Sequence, residues 1–435
     1  MRQEIDMLYT PGMEESNFSR ISEYIESNWD NTVRETTENR GPRLALPYPY
    51  TVPSIDDRFR ELYYWDTYFA NLGLLVHGRE QQARWNVENF AHEIATYGFI
   101  LNSNATYHLN RSQPPYYALM VADVYEHTGD REWLASVFDS VVSEYEFWMT
   151  ERMSPTGLNR HYHRATRDEK ISFYDHTLVS RLGFPAVDDS VKVTVGDHYI
   201  AEAETGMDFT PRFNGRCADH VPVDLNAKLF LYEKTIAAFC TALARADAGT
   251  WLERAATRAE TMRSLMLDPE TSLFQDYDFV AKKRTKIVSV AMLYPMWARV
   301  ASAAEAAAVV AHLPRIITPH GVTTCEKTPE SIRFQWGYPN VWPPMQYIAY
   351  TALMNYGYTD EASAVASAFR RTVETQFARS GALWEKYDGI TGGPTDAEYK
   401  ASKMLGWTAG VYLACDPAVS EKTGSDVATE RSSER

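Results

Sequence analysis

Apolar residues recur at three- and four-residue spacing in one segment after another along this chain. This spacing places apolar side chains on one face of a helix, whereas the alternation typical of strands is scarce. Short breaks such as His77-Gly78 join the helical segments in pairs, as in helical hairpins. Six such hairpins predict an all-α fold with a closed double ring of helices. The twelve predicted helices span 16–36, 63–78, 80–97, 114–129, 131–153, 225–246, 248–268, 287–298, 302–313, 342–357, 359–377 and 404–414.

The longest segments without helical periodicity are expected to carry the functional residues, because loops on a rigid scaffold hold most binding and catalytic groups. Polar and aromatic residues concentrate in them. No linker divides residues 1–415, which we expect to form one domain. Residues 416–435 are polar and lack apolar periodicity, so we expect a disordered tail there. The long non-helical segments are 41–60, 98–113, 154–224, 314–341 and 378–403.

Composition and charge exclude several classes of partner and cofactor. The net charge of −15, without a basic patch, argues against nucleic acid and against an acidic membrane surface. No apolar run reaches the roughly 18 residues of a membrane span. The acidic N-terminal segment differs from a basic secretory signal, which predicts a cytoplasmic location. The cysteines and histidines lack metal-ligand or disulfide spacing, so we expect no metal and no other cofactor. Nothing in the sequence indicates an oligomeric state.

Six segments outside the predicted helix interiors combine carboxylates, guanidiniums, amides and aromatic rings. Aromatic rings suit sugars, since they offer an apolar face and a polar edge. Each segment alone also has an ordinary explanation, such as a surface ion pair, core packing or a turn. Their joint occurrence favours a binding site for a small polar molecule. The segments are 58–66, 102–115, 204–209, 335–344, 384–388 and 392–399.

Two kinds of carboxyl group occur in these segments. Asp208 lies between Met207 and Phe209, and apolar surroundings favour the protonated form that an acid catalyst needs. Several carboxylates in 384–399 are candidates to activate a water molecule. An acid and a base of this type are typical of hydrolysis without a cofactor.

The same segments, in type and in order, resemble the signatures of the trehalases of glycoside hydrolase family 37. Residues 58–69 follow the Arg-Phe-Arg-Glu-x-Tyr-Tyr-Trp-Asp-Ser-Tyr-Phe pattern of that family, with Thr67 in place of Ser. The resemblance extends from about Tyr24 to about Leu413. It implies an (α/α)6 barrel, the six-hairpin glycosidase type. Further matches lie at 87–94, 107–115 and 221–226.

The resemblance also implies an activity and a set of site residues. The activity is the inverting hydrolysis of the α,α-1,1 bond of trehalose to two glucose molecules, so the expected partner is a small disaccharide. Asp208 lies at the position of the family's general acid and Glu385 at that of its general base. Arginines are expected to donate to sugar hydroxyls or to the base carboxylate, and so to keep Glu385 ionised. The residues at substrate-binding positions are Arg58, Phe59, Trp65, Asp66, Asn102, Arg111, Gln113, Arg167, Glu169, Gly206, Trp336 and Glu398.

The chain departs from the family pattern mainly at the second glucose. The family carries Arg-Pro-Glu-Ser in the region 160–180, where this chain reads Arg164-Ala165-Thr166-Arg167-Asp168-Glu169-Lys170. Arg167 and Glu169 are the predicted substitutes. Met207 also replaces the Trp that usually precedes the acid. Two alternatives therefore remain open: a hydrolase of another small α-glucoside on the same barrel, and a sugar-binding protein without turnover. A metal-dependent hydrolase is less favoured, since no H-E-x-x-H motif is present.

Overall fold

The computed structural model describes residues 11–56, 58–396 and 398–416, with side chains from residue 17 onward. The described residues form fifteen α-helices. These are α1 (Pro11–Asn28), α2 (Tyr64–Val76), α3 (Glu80–Tyr97), α4 (Tyr117–Thr128), α5 (Arg131–Glu151), α6 (Arg167–Phe173), α7 (Val179–Leu182), α8 (Asp189–Glu204), α9 (Val223–Ala242), α10 (Ala248–Met266), α11 (Tyr294–Trp297), α12 (Ala303–His312), α13 (Pro343–Asn355), α14 (Thr359–Ser380) and α15 (Gly406–Ala414).

Six of the helices form a closed inner ring. Helices α2, α4, α9, α11, α13 and α15 contact one another in that order, and α15 returns to contact α2. Each is followed or preceded in the chain by an outer partner, as in the contacting pairs α9 with α10 and α13 with α14. The outer helices are α1, α3, α5, α10, α12 and α14. This is the (α/α)6 double ring, and the predicted fold class is confirmed.

The two rings differ in how their helices are buried. The outer helix α3 buries one face, through residues at three- and four-residue spacing such as Ala83, Val87, Phe90 and Ile94. The inner helix α2 is buried on all sides over its first turns. Helix α15 approaches α2 so closely that a Cβ on Gly410 would lie 1.7 Å from the carbonyl oxygen of Phe69.

Nine two-residue strands connect the loops in small antiparallel sheets. The pair β8–β9 matches Asn340 with Asp388 and Val341 with Tyr387, so it joins the 335–344 and 384–388 segments. The strands are β1 (Val33–Arg34), β2 (Tyr50–Thr51), β3 (His220–Val221), β4 (Tyr277–Asp278), β5 (Lys283–Arg284), β6 (Ile317–Thr318), β7 (Gly321–Val322), β8 (Asn340–Val341) and β9 (Tyr387–Asp388).

The prediction that 154–224 lacks helices is wrong. This segment contains α6, a π-helical turn at Tyr174–Leu178, α7 and α8. Helix α8 has no distinct apolar face, which is why its periodicity escapes a sequence reading. The segment has a small apolar cluster of its own, separate from the main core, with Tyr174, Leu178, Tyr199 and Phe209 at its centre.

Two further sequence predictions concern the ends of helices and of the chain. The predicted helix 287–298 begins as a 3-10 turn at Val290–Leu293, and α11 is a single turn that starts with Pro295 in its first positions. Among the described residues, no helix has both the length and the apolar character of a membrane span. Apart from Asp416, the predicted tail lies outside the described residues, so the tail and the domain boundary at 415 stay predictions.

Candidate functional site

A cavity of about 580 Å³ brings together most of the residues that the sequence predicts for the site. Arg167 and Glu398 are the two predicted residues that do not line it. The predicted residues that do are Arg58, Phe59, Trp65, Asp66, Asn102, Arg111, Gln113, Glu169, Gly206, Asp208, Trp336 and Glu385.

Four buried tryptophans form the apolar wall of this cavity. Trp336 stacks on Trp342 with 3.8 Å between ring centroids, and Trp65 lies 5.5 Å from Trp336 and 5.9 Å from Trp407. Gly206 makes room for this wall, because a Cβ at that position would lie 2.8 Å from Cε2 of Trp65. Its φ of +75° also favours glycine. The flat wall suits the apolar face of a sugar ring.

Four carboxyl groups line the cavity, those of Asp66, Glu169, Asp208 and Glu385, and the charges of Asp208 and Glu385 act on Asp66. Asp66 lies in the first turn of α2 and is only 7% exposed. Its burial, together with the charges of Glu385 and Asp208, raises the pKa of Asp66 to about 8. At neutral pH Asp66 therefore carries a proton and can both donate and accept a hydrogen bond.

Glu385 lies just before β9 and is 2% exposed. The hydroxyl of Tyr399 donates to its Oε1 at 2.6 Å, and the backbone N–H of Ser402 donates to its Oε2 at 3.1 Å. Burial raises the pKa of Glu385, while the charge of Lys386 and these two donors oppose the rise. Arg58 opposes it only at a distance, since its Nη1 donates to the carbonyl of Lys400. Among the described residues, no arginine side chain donates to this carboxylate, so only sugar hydroxyls remain of the two expected arginine partners.

Asp208 is in contact with a guanidinium and is not enclosed by apolar groups. Nη1 of Arg181 donates to Oδ2 of Asp208 at 2.7 Å, and Nη2 donates to its carbonyl oxygen at 2.8 Å. The Asp208 side chain is 28% exposed. Met207 is buried instead beside Arg212, whose Nη1 lies 3.7 Å from its sulfur. The prediction of apolar surroundings for Asp208 is therefore wrong.

Gln335 connects the loop that carries Asp208 with the segment that carries Glu385. Its Nε2 donates to the carbonyl of Asp208 at 2.7 Å, and its Oε1 accepts from Nζ of Lys386 at 2.9 Å. Its backbone N–H donates to Oε1 of Glu398 at 2.9 Å. Burial lowers the pKa of Lys386 to about 8. One amide side chain thus fixes the spacing of the two segments.

The 102–113 loop supplies polar groups to the other side of the cavity. Oε1 of Gln113 accepts from the backbone N–H of Trp65, and Nδ2 of Asn102 donates to the carbonyl of Ser112. Nη1 of Arg111 donates to Asn110, while its Nε is buried without a hydrogen-bond partner among the described residues.

The two predicted substitutes at the second glucose are not equivalent in the structure. Arg167 is exposed at the start of α6 and lies outside the cavity lining. Glu169 lines the cavity, but its carboxylate accepts from Thr166 in a capping box and from Asn110. Glu398 does not line the cavity and accepts from Nε of Arg181 at 3.0 Å. The placement of Arg167 in the pocket is thus a wrong prediction.

Sequence reasoning alone misses several cavity residues. Trp342, Gln335 and Tyr399 lie within the six polar and aromatic segments, so a signal exists for them. Trp407 and Arg181 carry no such signal, since neither lies in one of the six segments. Among residues 17–56, 58–396 and 398–416, no group of three His, Cys, Asp or Glu side chains is arranged to hold a metal ion.

The model of the family described as Trehalase matches residues 2–415. The periplasmic trehalase of Xanthomonas campestris pv. campestris (strain B100) is 32% identical over 418 residues, which cover 90% of this chain and 72% of that protein. The periplasmic trehalase of Escherichia coli (strain SMS-3-5 / SECEC) is 32% identical over 425 residues, which cover 90% of this chain and 73% of that protein.

Solved structures show the same fold. The neutral trehalase Nth1 from Saccharomyces cerevisiae has a TM-score of 0.73 and 29% identity, covering 93% of this chain and 82% of that one. A GH63 mannosylglycerate hydrolase from Thermus thermophilus, solved with glucose, has a TM-score of 0.64 at 16% identity, covering 90% and 99%. The second likeness concerns the fold alone.

One sequence prediction is overturned by these relatives. The curated proteins are named periplasmic trehalases, so the predicted cytoplasmic location is wrong. That prediction used the acidic N-terminal segment and the lack of a long apolar run. The family model covers nearly the whole chain and the curated relatives share about a third of its residues, so the chain is a glycoside hydrolase and belongs to the trehalase family.

Proposed function

We propose that this protein hydrolyses trehalose to two glucose molecules with inversion, with Asp208 as general acid and Glu385 as general base. The observation that carries the proposal is the shared cavity of about 580 Å³, in which both carboxyl groups face a tryptophan wall. Membership of the trehalase family supports the substrate.

Inversion needs a protonated carboxyl on the leaving oxygen and an ionised carboxylate that takes a proton from water on the opposite face. Glu385 suits the second task. Two donors, from Tyr399 and Ser402, fix its carboxylate, and its raised pKa makes it a stronger base than an exposed glutamate. Asp208 is the candidate for the first task, since it lines the same cavity and its side chain is 28% exposed, so that a leaving oxygen can reach it.

The remaining groups around the deep part of the cavity suit one glucose. Trp65 and Trp336 offer ring faces, and the neutral carboxyl of Asp66 can bond a hydroxyl in either direction. Arg111 and Asn102 add donors from the polar loop at 102–113. The set combines an apolar face with several donors and acceptors, as a pyranose requires.

The test follows the anomers released from trehalose by NMR. Inversion at one glucose releases equal amounts of α- and β-glucose before mutarotation, whereas retention releases α-glucose alone. Asp208→Asn and Glu385→Gln should each lower kcat by at least about 100-fold. Asp139→Asn, at an exposed position on α5, serves as the matched control and should keep wild-type turnover.

Two results would contradict the proposal. One is turnover of another α-glucoside by a protein that leaves trehalose untouched; this alternative arises because Arg167 lies outside the cavity. The other is binding of trehalose without any release of glucose, which would indicate a sugar-binding protein.

A further inference from the structure

The cavity has a closed end and an open end. The tryptophans and Asp66 at the closed end are almost completely buried. The segment 167–188, which includes α6 and α7, supplies residues to the open end; those that line the cavity are Glu169, Ser172, Phe173, His176, Thr177 and Arg181. In a pocket that is closed at one end, the leaving group of hydrolysis departs toward the open end. The segment 167–188 therefore borders the leaving-group side.

Arg181 is the guanidinium that this segment places in the cavity. Besides its two contacts to Asp208, its Nε donates to Oε2 of Glu398 at 3.0 Å, and its guanidinium lies 4.8 Å from the ring centroid of Phe209. Burial alone would lower the pKa of Arg181, but the charges of Asp208 and Glu398 raise it above its usual value. The side chain is thus charged and fixed at several points.

We propose that Arg181 is the positioning residue of the general acid, and that it takes the place in this chain that the sequence predicts for Arg167. The inference rests on the proposed function of Asp208. Arg181 occupies Oδ2 of the carboxyl group, so the transferable proton is carried by Oδ1.

The attraction between Arg181 and Asp208 becomes stronger as the proton is transferred. The proton moves from Oδ1 of Asp208 to the glycosidic oxygen while the bond from that oxygen to the anomeric carbon breaks. A water molecule that gives a proton to Glu385 forms the new bond to that carbon from the opposite face. Asp208 gains negative charge in the same step, and the guanidinium at 2.7 Å stabilises that charge. An interaction that strengthens toward the transition state raises kcat more than it lowers KM.

The test compares two substrates in Arg181→Gln, Arg181→Lys and the surface control Arg254→Gln, whose partners Glu146, Tyr145 and Trp251 all lie outside the cavity lining. Trehalose needs a protonated leaving oxygen, whereas α-glucosyl fluoride releases fluoride with little help from an acid. Arg181→Gln should lower kcat for trehalose roughly 100-fold with a small change in KM, and kcat for the fluoride by less than about 10-fold. The kcat of Arg181→Lys for trehalose should lie between those of Arg181→Gln and the wild type. Arg254→Gln should match the wild type on both substrates.

Arg167→Gln decides between the two arginines and should stay within about two-fold of the wild type on trehalose. The inference is overturned if Arg181→Gln keeps the kcat of the wild type, if it loses both substrates equally, or if Arg167→Gln alone reduces turnover. Circular dichroism and the melting temperature check that each variant is folded. Failure of the proposed function has a different signature, because the wild type itself would then leave trehalose intact.

Discussion

Replacement of Asp66 by Asn should raise the free energy of unfolding at neutral pH. Asp66 is 7% exposed and shares the cavity with the carboxyl groups of Glu385 and Asp208, whose charges act on it. Burial and the charges of Glu385 and Asp208 raise its pKa to about 8, from 3.8. The folded protein must therefore protonate this group at pH 7, while the unfolded chain leaves it ionised.

The sign and size of the effect follow from that pKa. A carboxyl with a raised pKa contributes its full stability below pH 3.8, and this contribution is lost as the pH rises toward 8. At about 1.4 kcal/mol per pH unit, the loss at pH 7 reaches up to about 4 kcal/mol. Relaxation around three neighbouring carboxyls reduces it, so we expect about 2–4 kcal/mol. Asn has a similar shape and does not titrate, so Asp66→Asn removes this loss.

Urea unfolding followed by tryptophan fluorescence at pH 5.5 and pH 7.5 measures the effect. The gain from Asp66→Asn should be larger at pH 7.5 by about 2–3 kcal/mol, since two pH units at about 1.4 kcal/mol each give at most about 2.8 kcal/mol. Asp139→Asn, at an exposed position on α5, should show no such pH dependence. A gain that is equal at the two pH values, or a loss that grows with pH, would refute the reasoning.

Two further predictions concern the base and the barrel. Turnover of trehalose should fall as the pH drops through the raised pKa of Glu385, because the base must be ionised. The midpoint of the acid limb in the kcat/KM profile should therefore lie above pH 4.5, and a midpoint below 4.5 would contradict this. Gly410→Ala should destabilise the protein by about 3 kcal/mol, since the added Cβ overlaps the carbonyl of Phe69. Calorimetry against Gly249→Ala, where nothing lies within 4 Å of the added Cβ, checks the second prediction.

The barrel was predictable because its outer helices have one apolar face each. In α3 the buried residues recur at three- and four-residue spacing, and this pattern is visible in the sequence. Helix α8 gives no such signal, because apolar and polar residues are spread around it. It is buried through a small separate cluster that includes Phe209, and only the folded chain brings that cluster together.

The closed end of the site was also predictable, whereas of the open end the sequence predicted Glu169 and missed Arg181. Trp65 and Asp66 lie in a continuous motif at the start of α2, so one short segment carries both. Arg181 lies 27 residues from Asp208 and 217 residues from Glu398 along the chain, and no local pattern connects the three. Arg167 matches a family position in the sequence, yet the capping box at Thr166 starts α6 there and leaves Arg167 exposed.

Two buried carboxyl groups, those of Glu204 and Asp66, differ in charge because their neighbours differ. Glu204 accepts from Arg152 at 2.7 Å and from the backbone N–H groups of Ser112 and Tyr162. Burial alone would raise its pKa, but Arg152 and a neighbouring histidine hold the pKa of Glu204 well below its usual range. It therefore stays ionised and fixes the loop that carries Arg111 and Gln113. Asp66 is buried to a similar degree but has carboxylates as neighbours, so it is neutral and destabilising. A buried acid that lacks a cation costs stability, and its place in the cavity wall indicates that binding of the substrate accounts for that cost.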